Sequence, residues 1–192
     1  MSTASITSTT PVLADGIPGA RARDALLVLA GTAVITVAGY IAIPLPFTPV
    51  PLSLATFAVL LTGATLGPVR GAASAGLYLL IGLVGIPVFA GGGSGWAFSS
   101  FGYILGYVLA AAAVGRLARS RADRNVWSTL GLAALGTALI YLCGVPWLAM
   151  FLGVDLATAL AFGVVPFLIG DTIKIVATAI VLPSAWRYIA RR

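Results

Sequence analysis

Residues 167–183 read FLIGDTIKIVATAIVLP, an apolar run that contains one acidic and one basic side chain, Asp171 and Lys174. Pro166 precedes the run, and a proline is well tolerated in the first turn of a helix but breaks a helix interior. Extended to residue 188, the segment reaches the length of about 20 residues that a helix needs to cross a bilayer. The stretch therefore predicts a transmembrane helix over residues 167–188, with both charges inside it.

The composition of the whole chain agrees with this interpretation. Hydrophobic residues make up 60% of the 192 positions and charged residues only 8%, an apolar excess that a soluble fold could not bury. The length allows six spans and leaves no room for a separate soluble domain. We expect an all-α integral membrane protein with six transmembrane helices.

Prolines and glycines divide the rest of the chain into further spans. Residues 1–20 are rich in Ser and Thr and predict a flexible N-terminal tail, so that residues 21–192 would form a single six-helix membrane domain. Pro166 separates a short helical or re-entrant piece from the last span. The predicted spans are 24–43, 51–67, 71–86, 99–117 and 126–151, followed by the short piece at 156–165 and the last span at 167–188.

The basic residues predict the orientation of these spans. With six spans both termini lie on one side of the membrane, and ten of the eleven basic residues fall on that side. Lys and Arg accumulate in cytoplasmic loops, so both termini are predicted to be cytoplasmic. The net charge of +6 is thus a topology signal, and we expect no nucleic-acid partner. The ten residues are Arg21, Arg23, Arg70, Arg116, Arg119, Arg121, Arg124, Arg187, Arg191 and Arg192.

Asp171 and Lys174, three residues apart, share one face of the predicted helix. Each costs roughly 2.5 to 3.5 kcal/mol near a bilayer centre, and such residues usually mark a site or pathway. The pair could also be a mutually neutralised structural pair, but that leaves its presence unexplained. An acceptor and a cation on one face can bind a group that presents both N–H and C=O, such as a cyclic urea or an amide.

Asp171 lies only about 7 Å below the outer end of the helix at a rise of roughly 1.5 Å per residue, so the site should open outward. Trp96 and Tyr103 would supply apolar walls. The chain has no histidine and one cysteine, so neither a metal site nor a catalytic site is expected, and an enzyme is the least favoured class. A proton-coupled secondary carrier that uses Asp171 and Lys174 stays open.

Four stretches, in this order, resemble the BioY family, the biotin-specific S component of energy-coupling factor transporters. They are FTPVPLSL at 47–54, LGPVRGAASAGLYLLIGLVGIPVFAGGGSG at 66–95, GYILGY at 102–107 and PFLIGDTIK at 166–174.

The resemblance implies a six-helix subunit in a prokaryotic cell membrane that binds biotin from outside with high affinity and needs no cofactor. Its expected partners are a transmembrane coupling subunit and two cytoplasmic ATPase subunits, because the chain has no ATPase site of its own. The family's D-x-x-K stretch maps onto Asp171 and Lys174, which would bind the ligand. The remaining expected pocket residues are Tyr78, Phe89, Trp96 and Tyr103.

Some departures and alternatives accompany the resemblance. Ala55 stands where we expect the family to place a glutamine, so one polar ligand contact would be missing. An S component for another vitamin stays an alternative. Gly102 and Gly106 form a small-residue ridge that could mediate dimers but is expected to pack within the bundle, so the oligomeric state stays open.

Overall fold

The structure is a computed structural model that describes residues 12–16 and 21–190. The described residues form seven α-helices, one two-stranded hairpin and three short 3-10 turns. The helices are α1 (Arg21–Tyr40), α2 (Ala55–Leu66), α3 (Pro68–Leu83), α4 (Phe101–Arg119), α5 (Val126–Leu152), α6 (Leu156–Gly163) and α7 (Leu168–Ala190).

The predicted helical fold is confirmed in its general form. Four stretches are long and apolar enough to cross a membrane: Arg21–Tyr40, Phe101–Arg119, Val126–Leu152 and Leu156–Ile189. The predicted spans 51–67 and 71–86 are realised as the shorter α2 and α3, of 12 and 16 residues. At a rise of about 1.5 Å per residue, these two helices are shorter than the hydrocarbon layer of about 30 Å.

A small hairpin follows α1. The first span was predicted to reach residue 43, but α1 ends at Tyr40, and β1 (Ala42–Ile43) pairs antiparallel with β2 (Leu52–Ser53). Prolines at four of the positions 44–51 prevent helix continuation and leave an extended connection. The all-α prediction missed this strand pairing, because two residues per strand give no alternation that could be read from the sequence.

Pro166 divides the last apolar stretch, as its sequence position predicted. It lies in a 3-10 turn, Val165–Phe167, between α6 and α7. The Asp155 side chain accepts a hydrogen bond from the Thr158 backbone N–H at 2.9 Å and caps α6. This backbone hydrogen bond lowers the pKa of the exposed Asp155 carboxyl below its usual value.

Helix α4 is the central helix of the bundle and packs against α2, α3 and α5. A side chain at Gly106 would meet the backbone of Ile140 at 2.8 Å, and one at Gly102 would overlap Trp147. The small-residue ridge of α4 therefore contacts α5 inside the same chain, which is the use that we expected for it. On the opposite side, Gly63 of α2 approaches the α4 backbone equally closely.

The N-terminal residues 12–16 lie against the arginine-rich end of the bundle. Val12 is only 1% exposed and packs among residues of α2, α4, α5 and α7. The Arg70 guanidinium pairs with Asp15 at 2.8 Å and with Asp24 at 3.2 Å. Burial alone would raise the pKa of Asp15, but hydrogen bonds from Arg70 and from the Val12 N–H outweigh it and lower the pKa. This part of the predicted tail is thus packed, while residues 1–11 and 17–20 lie outside the described residues.

The close approach of α2 to α4 gives a stability prediction. An alanine Cβ at position 63 would lie 2.7 Å from the Ala111 carbonyl oxygen and 2.9 Å from its Cα. Since these are backbone atoms, the helices must separate, at a cost of about 1 to 3 kcal/mol. We expect Gly63→Ala to lower the melting temperature by several degrees, roughly 2–4 °C per kcal/mol, in thermal unfolding of the detergent-purified protein.

Gly131→Ala is the matched control for this substitution. Gly131 lies in α5, and nothing stands within 4 Å of the Cβ that alanine would add. Alanine is favoured over glycine in a helix interior by about 1 kcal/mol, so the melting temperature should be unchanged or higher. Equal effects of the two substitutions would contradict the close α2–α4 packing.

Candidate functional site

A cavity lies at the end of the bundle opposite the arginines. The first turns of α2 and α7, the inner faces of α3, α4 and α5, and the connections before α2 and α4 form its wall. The space between these walls, counted together with the open solvent at its mouth, is about 640 Å³. Its position, enclosed by several helices near one end of an apolar bundle, is typical of a small-molecule site.

Asp171 and Lys174 face this cavity from α7. The Lys174 Nζ lies 3.0 Å from the Asp171 Oδ1, and the two residues are 9% and 7% exposed, respectively. A buried charge is costly unless it is paired and hydrogen-bonded. The three-residue spacing places both charges on one helix face, as predicted, and lets each stabilise the other.

Two further side chains complete this pair, and the sequence analysis missed both. Lys174 also donates a hydrogen bond to the Thr56 hydroxyl at 2.9 Å, and Tyr141 donates a short hydrogen bond to the Asp171 Oδ2. Thr56 is the second residue of α2 and Tyr141 lies in α5, so sequence spacing does not connect them with α7. The only signal was a hydroxyl group within an apolar segment, which is too common to identify a site.

The quartet of Thr56, Tyr141, Asp171 and Lys174 has hydrogen-bonding capacity left for a ligand. An ionised carboxylate offers about four acceptor positions and an ammonium three donors. Asp171 uses two of its positions on Lys174 and Tyr141, and Lys174 uses two donors on Asp171 and Thr56. One ammonium N–H and the remaining carboxylate positions are free to bind a group that carries both a carbonyl and an N–H.

Aromatic rings form much of the remaining wall. Tyr78 and Tyr103, both predicted pocket residues, line the cavity together with Tyr107. The rings of Tyr78 and Tyr107 stack at a centroid distance of 6.3 Å. The Tyr103 hydroxyl donates to the Gly163 carbonyl at 3.0 Å, which fixes its ring and ties α4 to α6. These rings provide a rigid apolar surface beside the charged pair.

Phe89 and Trp96, the other two predicted pocket residues, do not line this cavity. Phe89 is 1% exposed and packs edge-on against Tyr78 at 5.2 Å, in a space that the missing side chain of Gly82 leaves open. Trp96 is 61% exposed in the connection between α3 and α4. Phe89 thus supports the wall from behind, whereas Trp96 lies outside it. A ligand contact for the six residues named from the sequence stays a prediction.

Ala55, the departure noted in the sequence, lies directly on the cavity wall. It is the first residue of α2, is 2% exposed and precedes Thr56. The space that a larger side chain would occupy at this position is therefore part of the cavity.

Side-chain hydrogen bonds hold the outer connections over the cavity. The Thr48 hydroxyl donates to the Phe162 carbonyl at 2.8 Å, which joins the hairpin connection to α6. The Ser99 hydroxyl donates to the Pro49 carbonyl at 2.8 Å and joins the same connection to the segment before α4. The connections at 44–51 and 84–100 are thus tied to each other and to the bundle.

Comparisons with known proteins identify relatives over most of the chain. The family model described as the BioY family matches residues 7–191. The biotin transporter BioY of Thermotoga maritima is 37% identical over 78% of this chain and 88% of its own. The probable biotin transporter BioY of Pyrococcus horikoshii is 38% identical over 84% of this chain and 94% of its own.

A solved structure shares the fold. The S-component for biotin from an ECF-type ABC transporter superposes with a TM-score of 0.77 at 25% sequence identity, covering 88% of this chain and 95% of that one.

The buried quartet predicts a non-additive effect on stability. Lys174→Met leaves the Asp171 carboxylate buried without its cation, and Asp171→Leu leaves the ammonium unpaired. Removing one partner of a buried ion pair costs about 3 to 5 kcal/mol, whereas replacing both by apolar groups can be nearly neutral. We expect the double variant to melt above both single variants in ligand-free detergent solution. A double variant whose melting temperature falls by the sum of the two single decreases would show that the charges do not interact.

Proposed function

Because the chain belongs to the BioY family, we propose that it binds biotin from outside the cell and serves as the substrate-binding subunit of an energy-coupling factor importer. The observation that carries this proposal is the buried Asp171–Lys174 pair, which faces a cavity at the end of the bundle opposite the arginines. The named relatives supply the identity of the ligand.

The ureido ring of biotin fits the free hydrogen-bonding capacity of the site. Its N–H and carbonyl lie side by side, as do the carboxylate of Asp171 and the ammonium of Lys174. The carboxylate accepts from one N–H, and the third ammonium donor reaches the carbonyl. The hydroxyls of Tyr107 and Thr137, which also line the cavity, are candidate acceptors for the second N–H.

The apolar remainder of biotin suits the aromatic wall. Ile104, Ile140 and Phe167 line the cavity beside the tyrosines, and a fused ring with a thioether buries apolar surface against them. Burial of apolar surface contributes a favourable free energy of about 25 cal/mol per Å² removed from water. The polar quartet then fixes the orientation of the ring, as a few convergent polar groups do in most small-molecule sites.

Uptake is proposed to require a transmembrane coupling subunit and two cytoplasmic ATPases. This rests on the solved relative, which is the S-component of an ECF-type ABC transporter. The chain itself acts as a binding and transport subunit and not as an enzyme, and it works without a cofactor. Its oligomeric state is not part of the proposal.

We place the chain in a prokaryotic cell membrane as a multi-pass protein with six crossings and both termini in the cytoplasm. The four long apolar stretches supply four crossings, and α2 and α3 supply two short ones. A short apolar helix can be accommodated in a membrane by local thinning of the bilayer. The arginines of the described residues lie at one end of the bundle, which agrees with a cytoplasmic position for that end.

Asp171→Asn should weaken biotin binding strongly. The substitution keeps the size of the side chain, but an amide is a weaker acceptor than a carboxylate and leaves Lys174 buried without its counter-charge. We expect a loss of roughly 2 to 4 kcal/mol, or about 30-fold to 1000-fold in Kd. Calorimetric titration of biotin into purified protein that elutes as a single folded species measures it.

Arg70→Ala is the control for this variant. It also removes one charge from an ion-paired cluster, but at the end of the bundle opposite the cavity. Its biotin affinity should stay within a few-fold of the parent. Unchanged affinity in folded Asp171→Asn would limit the pair to a structural role, and about a hundredfold loss in Arg70→Ala would contradict the position of the site.

Cysteine labelling in intact cells tests the proposed topology. In a Cys143→Ala background, Ala97→Cys and Ser120→Cys place single thiols at exposed positions before and after α4. A membrane-impermeant maleimide should label position 97 from outside and position 120 only after lysis. Labelling of position 120 in intact cells would reverse the assigned orientation.

A further inference from the structure

The outer rim of the cavity is built from uncharged groups. We define the rim as the lining residues from the connections before α2 and before α4: Val50, Pro51, Ser53, Ala90, Phe98 and Ser100. Its polar side chains are two hydroxyls. The Ser53 hydroxyl is bonded to the Ala55 N–H and to the Gly39 carbonyl, whereas Ser100 makes no capping bond to α4.

The cation of the cavity is already neutralised. Lys174 holds Asp171 at 3.0 Å and Thr56 at 2.9 Å, and both members of the ion pair are buried. A ligand carboxylate on this ammonium would place two negative charges around one positive charge in a medium of low dielectric constant. A neutral carbonyl on the third ammonium donor avoids that repulsion.

The arginines are far from the rim. Those of the described residues lie at the opposite end of the bundle, where Arg70 binds Asp15 and Asp24 and where Arg124 stacks on Trp186 at 4.1 Å. The outer end carries the exposed Asp155 carboxylate instead, at the start of α6. Among the described residues, a carboxylate at the rim therefore meets hydroxyls and peptide dipoles but no cation.

We propose that the site selects its ligand by the ureido ring alone and also takes biotin whose carboxyl group is capped, such as the primary amide. The inference rests on the proposed function, since it deepens the assignment of biotin to this cavity. The ring lies on the quartet of Thr56, Tyr141, Asp171 and Lys174, and the side chain of the ligand runs outward to the rim.

The chemistry of the rim tolerates both end groups. A serine hydroxyl can donate to a carboxylate or carbonyl oxygen and can accept from an amide N–H. The amide of biotin has the size of the acid and retains one carbonyl acceptor, so the Ser100 hydroxyl can donate to either end group, whereas the Ser53 hydroxyl already donates to the Gly39 carbonyl. Without a cation the acid gains no charge pairing that the amide would lose, and an interaction with neutral hydroxyls contributes only about 0.5–1.5 kcal/mol.

Titration of three ligands into the full-length purified protein tests the inference. The ligands are biotin, its primary amide, and 2-iminobiotin, whose guanidine group is protonated at neutral pH. We expect the amide to bind within about tenfold of biotin. We expect 2-iminobiotin to bind more than about a hundredfold more weakly, because a cation replaces the carbonyl that faces Lys174.

The outcomes separate this inference from the proposed function. One outcome is that biotin binds while its amide has an affinity more than about tenfold lower. That result would show that the site recognises the carboxylate, so the inference would fail while the proposed function stands. If 2-iminobiotin binds as well as biotin, the ring does not lie on Lys174 and the inference fails too. If biotin itself does not bind, both fail.

A charge added to the rim gives an independent readout. Ala90 lines the rim, so Ala90→Lys should supply the missing cation and increase the preference for biotin over its amide by about tenfold. Ala97→Lys adds the same charge in the same connection, at an exposed position that does not line the cavity, and should leave the ratio unchanged. An unchanged ratio in folded Ala90→Lys would contradict the outward position of the ligand carboxyl group.

Discussion

The structure depends on the constraint that two opposite charges inside an apolar bundle must neutralise each other and find hydrogen-bond partners on neighbouring helices. Asp171 and Lys174 meet half of this requirement on α7, and Thr56 and Tyr141 supply the other half from α2 and α5. A buried ion pair contributes little stability by itself. It does fix the relative positions of the three helices that carry its partners, and so it defines one side of the cavity.

Close backbone packing makes this arrangement possible. In a bilayer, helices gain little from the hydrophobic effect and associate through dispersion contacts between closely approaching backbones. Gly106 lets α4 touch the backbone of α5, and Gly63 lets α2 touch α4. Because α4 stands between these neighbours, the hydroxyl of Thr56 and the ring of Tyr141 reach the same space from opposite sides. Small residues that do not themselves line the cavity therefore help to determine its geometry.

The sequence predicted those features that depend on local spacing. Residues three apart on one helix predicted the Asp171–Lys174 pair, and Pro166 predicted the break before α7. Thr56 and Tyr141 could not be predicted, because their contacts join positions 118 and 30 residues apart. Phe89 was expected from the family resemblance and Trp96 as an aromatic residue near the outward end of the site. Neither argument distinguishes an aromatic side chain that lines the cavity from one that lies behind or outside its wall. The two-residue strands of the hairpin are too short to produce a periodic signal.

The charged residues at the two ends of the bundle have different roles. At the arginine-rich end, ion pairs such as Arg70–Asp15 hold residues 12–16 against the helices and close the bundle around Val12. At the other end, Asp171 and Lys174 are the only charged side chains that line the cavity among the described residues, and they pair at 3.0 Å. A neutral ring that offers both a donor and an acceptor can then enter without bringing a net charge into the bundle. Insertion of such a ring therefore requires the desolvation of dipoles only, a much smaller cost than the desolvation of an ion.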